Sequence, residues 1–136
     1  MLVDLKLYLT CFLTILLIDY IWLALIMKSF YIEKLRPIGL ITGDTLQPVY
    51  WAAFAVYAVL SVGIVQFALP KLSLDTAWMT VFGTGALLGF IIYGTYDFTN
   101  HSTLKDWPLS LTLIDLAWGS FLCGLVTTVA RYVRDL

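Results

Sequence analysis

Four stretches of this chain are each long and apolar enough to cross a bilayer, and nothing else in the sequence constrains its fold as tightly. About 20 mainly apolar residues are needed to span a hydrocarbon core of ~30 Å. The stretches run from about residues 7 to 27, 48 to 69, 76 to 98 and 108 to 130. No charged residue occurs between Thr45 and Pro70, and the third stretch is free of charge until Asp97. The first and fourth each carry one carboxylate, Asp19 and Asp115. Composition agrees, since 61% of the 136 residues are hydrophobic and only 12% are charged, against about 25% charged in a soluble domain. The expected fold is an all-α membrane protein: one domain over residues 1–136, built as a four-transmembrane-helix bundle.

The ends and connections refine this picture. Lys6 followed by an apolar run resembles a cleavable signal, but Asp19 interrupts the run and no small-x-small site follows Trp22, so a retained helix is expected. Pro70 and Lys71 close the second helix and turn the chain into an antiparallel third. Asp106, Trp107 and Pro108 stand in the order of an N-cap followed by a first-turn proline. The longest connection, Lys28 to Gln47, mixes Phe30, Tyr31, Ile32 and Leu35 with Glu33, Lys34 and Arg36. An interfacial segment and an ordinary surface loop both fit it.

Antiparallel crossings fix which residues share a depth. Asp19 lies eight residues before the end of the first helix and Asp115 seven after the start of the fourth. At 1.5 Å per residue both sit roughly 10–12 Å below the same surface. Asp97 ends the third helix on that side, Tyr50 and Gln47 begin the second beside it, and Asn100, His101 and Lys105 lie just above. On the third helix Gly85, Gly89, Tyr93, Tyr96 and Asn100 fall in one stripe at about 100° per residue, with Asp97 on its flank. The glycines there form G-x-x-x-G, a pattern whose plain meaning is close helix packing.

A second pattern links the first and fourth helices: Ile18-Asp19-Tyr20-Ile21-Trp22 and Ile114-Asp115-Leu116-Ala117-Trp118 both read I-D-x-x-W. In helices of opposite sense this hints at inverted internal symmetry. An aspartate at mid-span costs about 2.5–3.5 kcal/mol on insertion scales, and either structural bonding or a functional pocket would repay it. The candidate pocket residues are Asp19, Asp97, Asp115, Tyr93, Tyr96, Asn100, Tyr50, His101, Trp22 and Trp118. No catalytic residue can be named among them. A metal site is not expected, because the single histidine lacks the spacing of a ligand set and reads better as an interfacial polar residue. No cofactor is called for either. Cys11 and Cys123 fall inside apolar runs and read as buried free thiols.

At Tyr93-Gly94-Thr95-Tyr96-Asp97-Phe98-Thr99-Asn100, then Lys105-Asp106-Trp107-Pro108 and Ile114-Asp115-Leu116-Ala117-Trp118-Gly119, the chain resembles domain-of-unknown-function family 2177. The resemblance extends over almost the whole chain, Asp19-Tyr20-Ile21-Trp22 included. It implies a bacterial inner membrane protein of multiple spans and supplies no reaction.

Three functions are therefore weighed. The first is binding or transport of a lipid or small solute at the acidic and tyrosine-lined pocket, with membrane lipids as partners; the transport version expects a homo-oligomer, a dimer. The second is a membrane-embedded enzyme acting on a lipid or isoprenoid, with an aspartate as general acid or base. The third is a structural or accessory subunit. A net charge of −1 gives no case for nucleic acid. Lysine and arginine do not orient the chain: Lys6, Lys71, Arg131 and Arg134 fall on the side of both termini, Lys28, Lys34, Arg36 and Lys105 on the other. Termini in the cytoplasm are the working expectation.

Overall fold

In the hydrocarbon interior every backbone amide must bond within the chain, and a helix achieves this segment by segment. The computed structural model, which describes residues 2–134 and 136 and only the backbone of residues 2–4, is an all-helical membrane protein. Its four spans are Leu5–Ile26, Tyr50–Lys71, Trp78–Thr103 and Leu109–Arg134. The first joins helix α1 (Leu2–Tyr20) to a π-wound turn at Ile21–Ile26. A short helix, α2 (Lys28–Leu35), follows, then a two-stranded hairpin of β1 (Ile41–Thr42) and β2 (Thr45–Leu46). The hairpin pairs Ile41 with Leu46 and Thr42 with Thr45. Gly43 turns it at a φ of 60°, a backbone region that glycine enters without steric cost.

The second span starts as α3 (Tyr50–Gly63), widens into a π-turn at Ile64–Ala68 and tightens into a 3-10 turn at Leu69–Lys71. Helices α4 (Trp78–Thr103) and α5 (Leu109–Arg134) complete the bundle. Helix α5 is the central member, packed most extensively against α4 and then against α1, while α3 lies on α1.

Side-chain rows spaced by four decide what faces inward. On α1, Leu7, Cys11, Ile15 and Asp19 are buried, whereas Leu5, Leu9, Leu13 and Leu17 are exposed. Asp19 is thus the last member of the inward row. On α4 the buried row runs Val81, Gly85, Gly89 and on to Asp97, with Tyr93 packed against the core between them. This differs from the stripe expected from sequence, in which Asp97 stood on the flank. Helices that interlock along their fourth-residue ridges follow that row rather than a straight line down the cylinder, so Asp97 turns in, while Tyr96 stays half-open beside Trp107.

The glycines make the α4–α5 contact close. A Cβ on Gly85 would collide with the Cys123 carbonyl and the Thr127 side chain, one on Gly89 with the Gly119 carbonyl, and one on Gly119 with the Tyr93 ring. The start of α5 differs from the expected cap. Asp106 has a φ of 67°, and the first amides of the helix, at Leu111 and Thr112, donate to the Pro108 carbonyl. Asp106 therefore forms the left-handed turn before the helix, a conformation aspartate tolerates, and does not cap it. At the opposite end, Arg131 and Arg134 hold the turn between α3 and α4. Arg131 Nη2 donates to the Ser73 carbonyl at 2.8 Å and Arg134 Nη2 to that of Leu72 at 2.9 Å.

Candidate functional site

Two of the three aspartates end up in very different surroundings. Asp19, 6% exposed, is saturated: Tyr57 Oη donates to Oδ2 at 2.7 Å and Trp118 Nε1 donates to Oδ1 at 2.9 Å. One carboxyl thereby ties α1, α3 and α5 together. Asp97 is 0% exposed, and neither of its oxygens meets a donor among the described residues. Its neighbour is the Asp115 carboxyl, placed for a hydrogen bond between the two acids. Ionised carboxylates only accept, so that bond exists when a proton sits on one of them.

The I-D-x-x-W segments meet face to face. The Trp22 and Trp118 rings stack with centroids 4.2 Å apart and planes 4° from parallel. Each tryptophan then serves the other helix's aspartate. Trp118 bonds Asp19 directly, whereas Trp22 Nε1 donates to Tyr31 Oη at 3.2 Å and Tyr31 Oη donates to Asp115 Oδ1. The π-wound turn contributes by placing Trp22 immediately beyond Asp19, and its wide bond runs from the Met27 amide to the Trp22 carbonyl at 2.8 Å.

Tyr31 comes from α2, whose Tyr31 and Ile32 are buried. The segment between the first two spans is therefore folded onto the bundle end as a plug. Burial, and next the adjoining Asp115 carboxyl, push the Tyr31 phenol well above its ordinary pKa, so it remains a donor at neutral pH.

Beside the plug lies a partly enclosed cavity of about 320 Å³. Tyr31, Tyr96, Asn100, Trp107 and Asp115 give it polar and aromatic walls, and Leu35, Ile38, Leu104 and Leu111 complete it. The Tyr96 and Trp107 rings meet edge to face at 6.2 Å, and Trp107 Nε1 donates to Thr112 Oγ1 at 3.0 Å. The amide nitrogen of Asn100 is buried and has no acceptor among the described residues. The cavity's volume is at the low end of ligand sites, large enough for a small molecule or the polar end of a larger one.

The structure thus gathers Asp115, Asn100 and Tyr96 around the cavity, sets Asp97 behind Asp115, and places Asp19, Trp22 and Trp118 in the adjoining brace. Tyr93 belongs to the packing of α4 on α5, its ring lying over Gly119. Tyr50 is 67% exposed at the start of α3 and His101 is exposed near the end of α4, and neither lines the cavity. Two residues absent from the expected set are central, Tyr31 and Tyr57. Tyr57 had a signal, since a tyrosine in the middle of a charge-free span needs a partner; Tyr31 had only its place in an amphipathic connection. Among the described residues no group of three or more histidine, cysteine or acidic side chains is arranged to hold a metal ion.

No curated protein and no solved structure matches the chain. The description "Predicted membrane protein (DUF2177)" matches residues 4–132, nearly the full length. The chain therefore belongs to this family of predicted membrane proteins.

Proposed function

We propose that this membrane protein binds the polar end of a membrane lipid or a small solute in the cavity between the α2 plug and the ends of α4 and α5. One observation carries the reading: on the wall of this cavity the buried amide nitrogen of Asn100 has no acceptor among the described residues. An unpaired buried polar group costs ~1–3 kcal/mol, a cost that a bound ligand would offset. Asp19 serves as the contrast, because its bonds already account for it as a brace.

The test is Asn100→Leu. Removing an unpaired amide leaves the empty protein equally stable or more stable, while ligand retention falls. Native mass spectrometry of the purified chain, beside thermal unfolding of the same samples, reads both quantities. A discrete adduct on the wild type that disappears from a stable variant supports binding; no adduct on either protein, with Asn100→Leu destabilised, makes the cluster structural. The setting we propose is the bacterial inner membrane with both termini in the cytoplasm, which paired reporter fusions at the C-terminus test.

A further inference from the structure

Buried carboxyl groups normally have a cationic partner, and among the described residues none stands at this end of the bundle. Asp115 lines the cavity and Asp97 lies behind it, yet no lysine, arginine or histidine is among the cavity's walls. Two nearby basic residues, Arg36 and Lys34, are engaged elsewhere. Arg36 bonds Asp44 at 2.9 Å and the Gly43 carbonyl at 3.1 Å. Lys34 bonds Glu33 at 2.8 Å and stands over the Phe30 ring at 5.8 Å. His101 and Lys105 are exposed. The Asp115 oxygen not occupied by Tyr31 receives no donor from a cationic side chain among the described residues.

The walls narrow the kind of cation. Tyr31, Tyr96 and Trp107 supply aromatic surfaces on a cavity that also holds a carboxyl, and the negative faces of aromatic rings attract organic cations. A bare metal ion would find few oxygen ligands beside these rings, and an anionic group would meet two carboxyls with no compensating base. We infer that the cavity takes an alkylammonium group, as the head group of an aminolipid or as a free amine, with Asp115 as counter-ion, Tyr31, Tyr96 and Trp107 as aromatic walls, and the Asn100 amide donating to an adjoining oxygen. This rests on the cavity being a ligand site, as proposed above.

The test uses the purified full-length chain and four probes: a short-chain phosphatidylethanolamine, a phosphatidylglycerol and a diacylglycerol with the same chains, and tetramethylammonium. Binding is read by native mass spectrometry and by quenching of tryptophan fluorescence, for the wild type, Asp115→Asn and Tyr96→Leu. Tyr96 is exposed enough that its loss spares the core, so it serves if Asp115→Asn does not fold. The expectation is that phosphatidylethanolamine binds about tenfold or more tightly than phosphatidylglycerol and diacylglycerol, and that either variant abolishes the preference. Tetramethylammonium bound in an Asp115- or Tyr96-dependent way, without lipid preference, also supports the ammonium site and assigns it to free amines. Phosphatidylglycerol or diacylglycerol binding as tightly as phosphatidylethanolamine, with no Asp115-dependent binding of tetramethylammonium, overturns the ammonium specificity while leaving the cavity a ligand site. If none of the four probes binds, the ammonium inference falls together with the binding reading beneath it.

Discussion

Removing the Tyr57 hydroxyl isolates one half of the Asp19 brace. Tyr57→Phe keeps the ring, which also meets Phe12 edge-on at a centroid distance of 6.4 Å, and deletes only the donor to Asp19 Oδ2. Leaving a buried acceptor unpaired costs ~1–3 kcal/mol in water-soluble proteins, but side-chain hydrogen bonds measured within membranes average ~0.6 and reach ~1.7 kcal/mol. The membrane range governs the lower bound, because the unfolded helices also find partners. Asp19 is only 6% exposed, so water does not readily replace the lost donor, and the expected cost is at the upper part of that range, about 1.5 kcal/mol. Asp19→Asn costs less: its carbonyl still accepts from Trp118 Nε1, and its amide donates to a Tyr57 hydroxyl that turns to accept. Asp19→Leu costs the most, since the Trp118 N–H can only donate and is left with nothing. Reversible unfolding in mixed micelles, followed by helical ellipticity, ranks the three variants. Equal cost for the asparagine and leucine variants, or a Tyr57→Phe effect within about 0.3 kcal/mol of zero, would refute the brace.

Glycine substitutions on α4 separate close packing from helix propensity. A Cβ at Gly83 meets nothing within 4 Å, so Gly83→Ala is neutral or gains roughly 0.5–1 kcal/mol, whereas Gly89→Ala forces α4 from α5 and loses about 1–3 kcal/mol in the same unfolding assay. Cys11 and Cys123 are fully buried; both stay unmodified by a maleimide in native membranes and react after unfolding, as intact mass reports. Tyr31, with its pKa raised in the folded chain, stabilises the plug fully below the ordinary tyrosine value and loses that contribution progressively as pH rises from there through the higher folded value. Near pH 11, about one unit above the ordinary value, wild type and Tyr31→Phe show the same phenolate absorbance while folded; a one-tyrosine difference at that pH contradicts the burial described.

The four spans were legible because lipid leaves a compositional mark that needs no partner to interpret. Which face of each helix turns inward was much harder to read. On α1 both fourth-residue rows are apolar, Leu5-Leu9-Leu13-Leu17 outward and Leu7-Cys11-Ile15-Asp19 inward. In a bilayer hydrophobicity does not separate the face that meets lipid from the face that meets protein, and Asp19 alone betrays the inner row. The same limit put Asp97 on the flank of its stripe, whereas its inward position depends on how α4 follows the ridge of α5. The depth arithmetic gathered Asp19, Asp97 and Asp115 in one half of the membrane but gave them one role, whereas the structure divides them by hydrogen-bond partners. Tyr31 was out of reach: it bonds Asp115 across 84 residues from inside a connecting segment. The paired I-D-x-x-W segments were the best available signal, and their meaning lay in the stacking of Trp22 on Trp118.

A ligand seated in the cavity is open to photocapture from the cavity wall. A diazirine-bearing amino acid replaces Leu104, on the cavity wall, and in a separate protein Met79, exposed near the other end of the bundle. Both proteins are irradiated in native membranes, purified and analysed for covalent adducts by intact mass. A ligand bound in the cavity gives one discrete adduct species at position 104, lost on adding Asn100→Leu, against a broad mixture of membrane lipids at position 79. The same lipid mixture at both positions would contradict binding in the cavity.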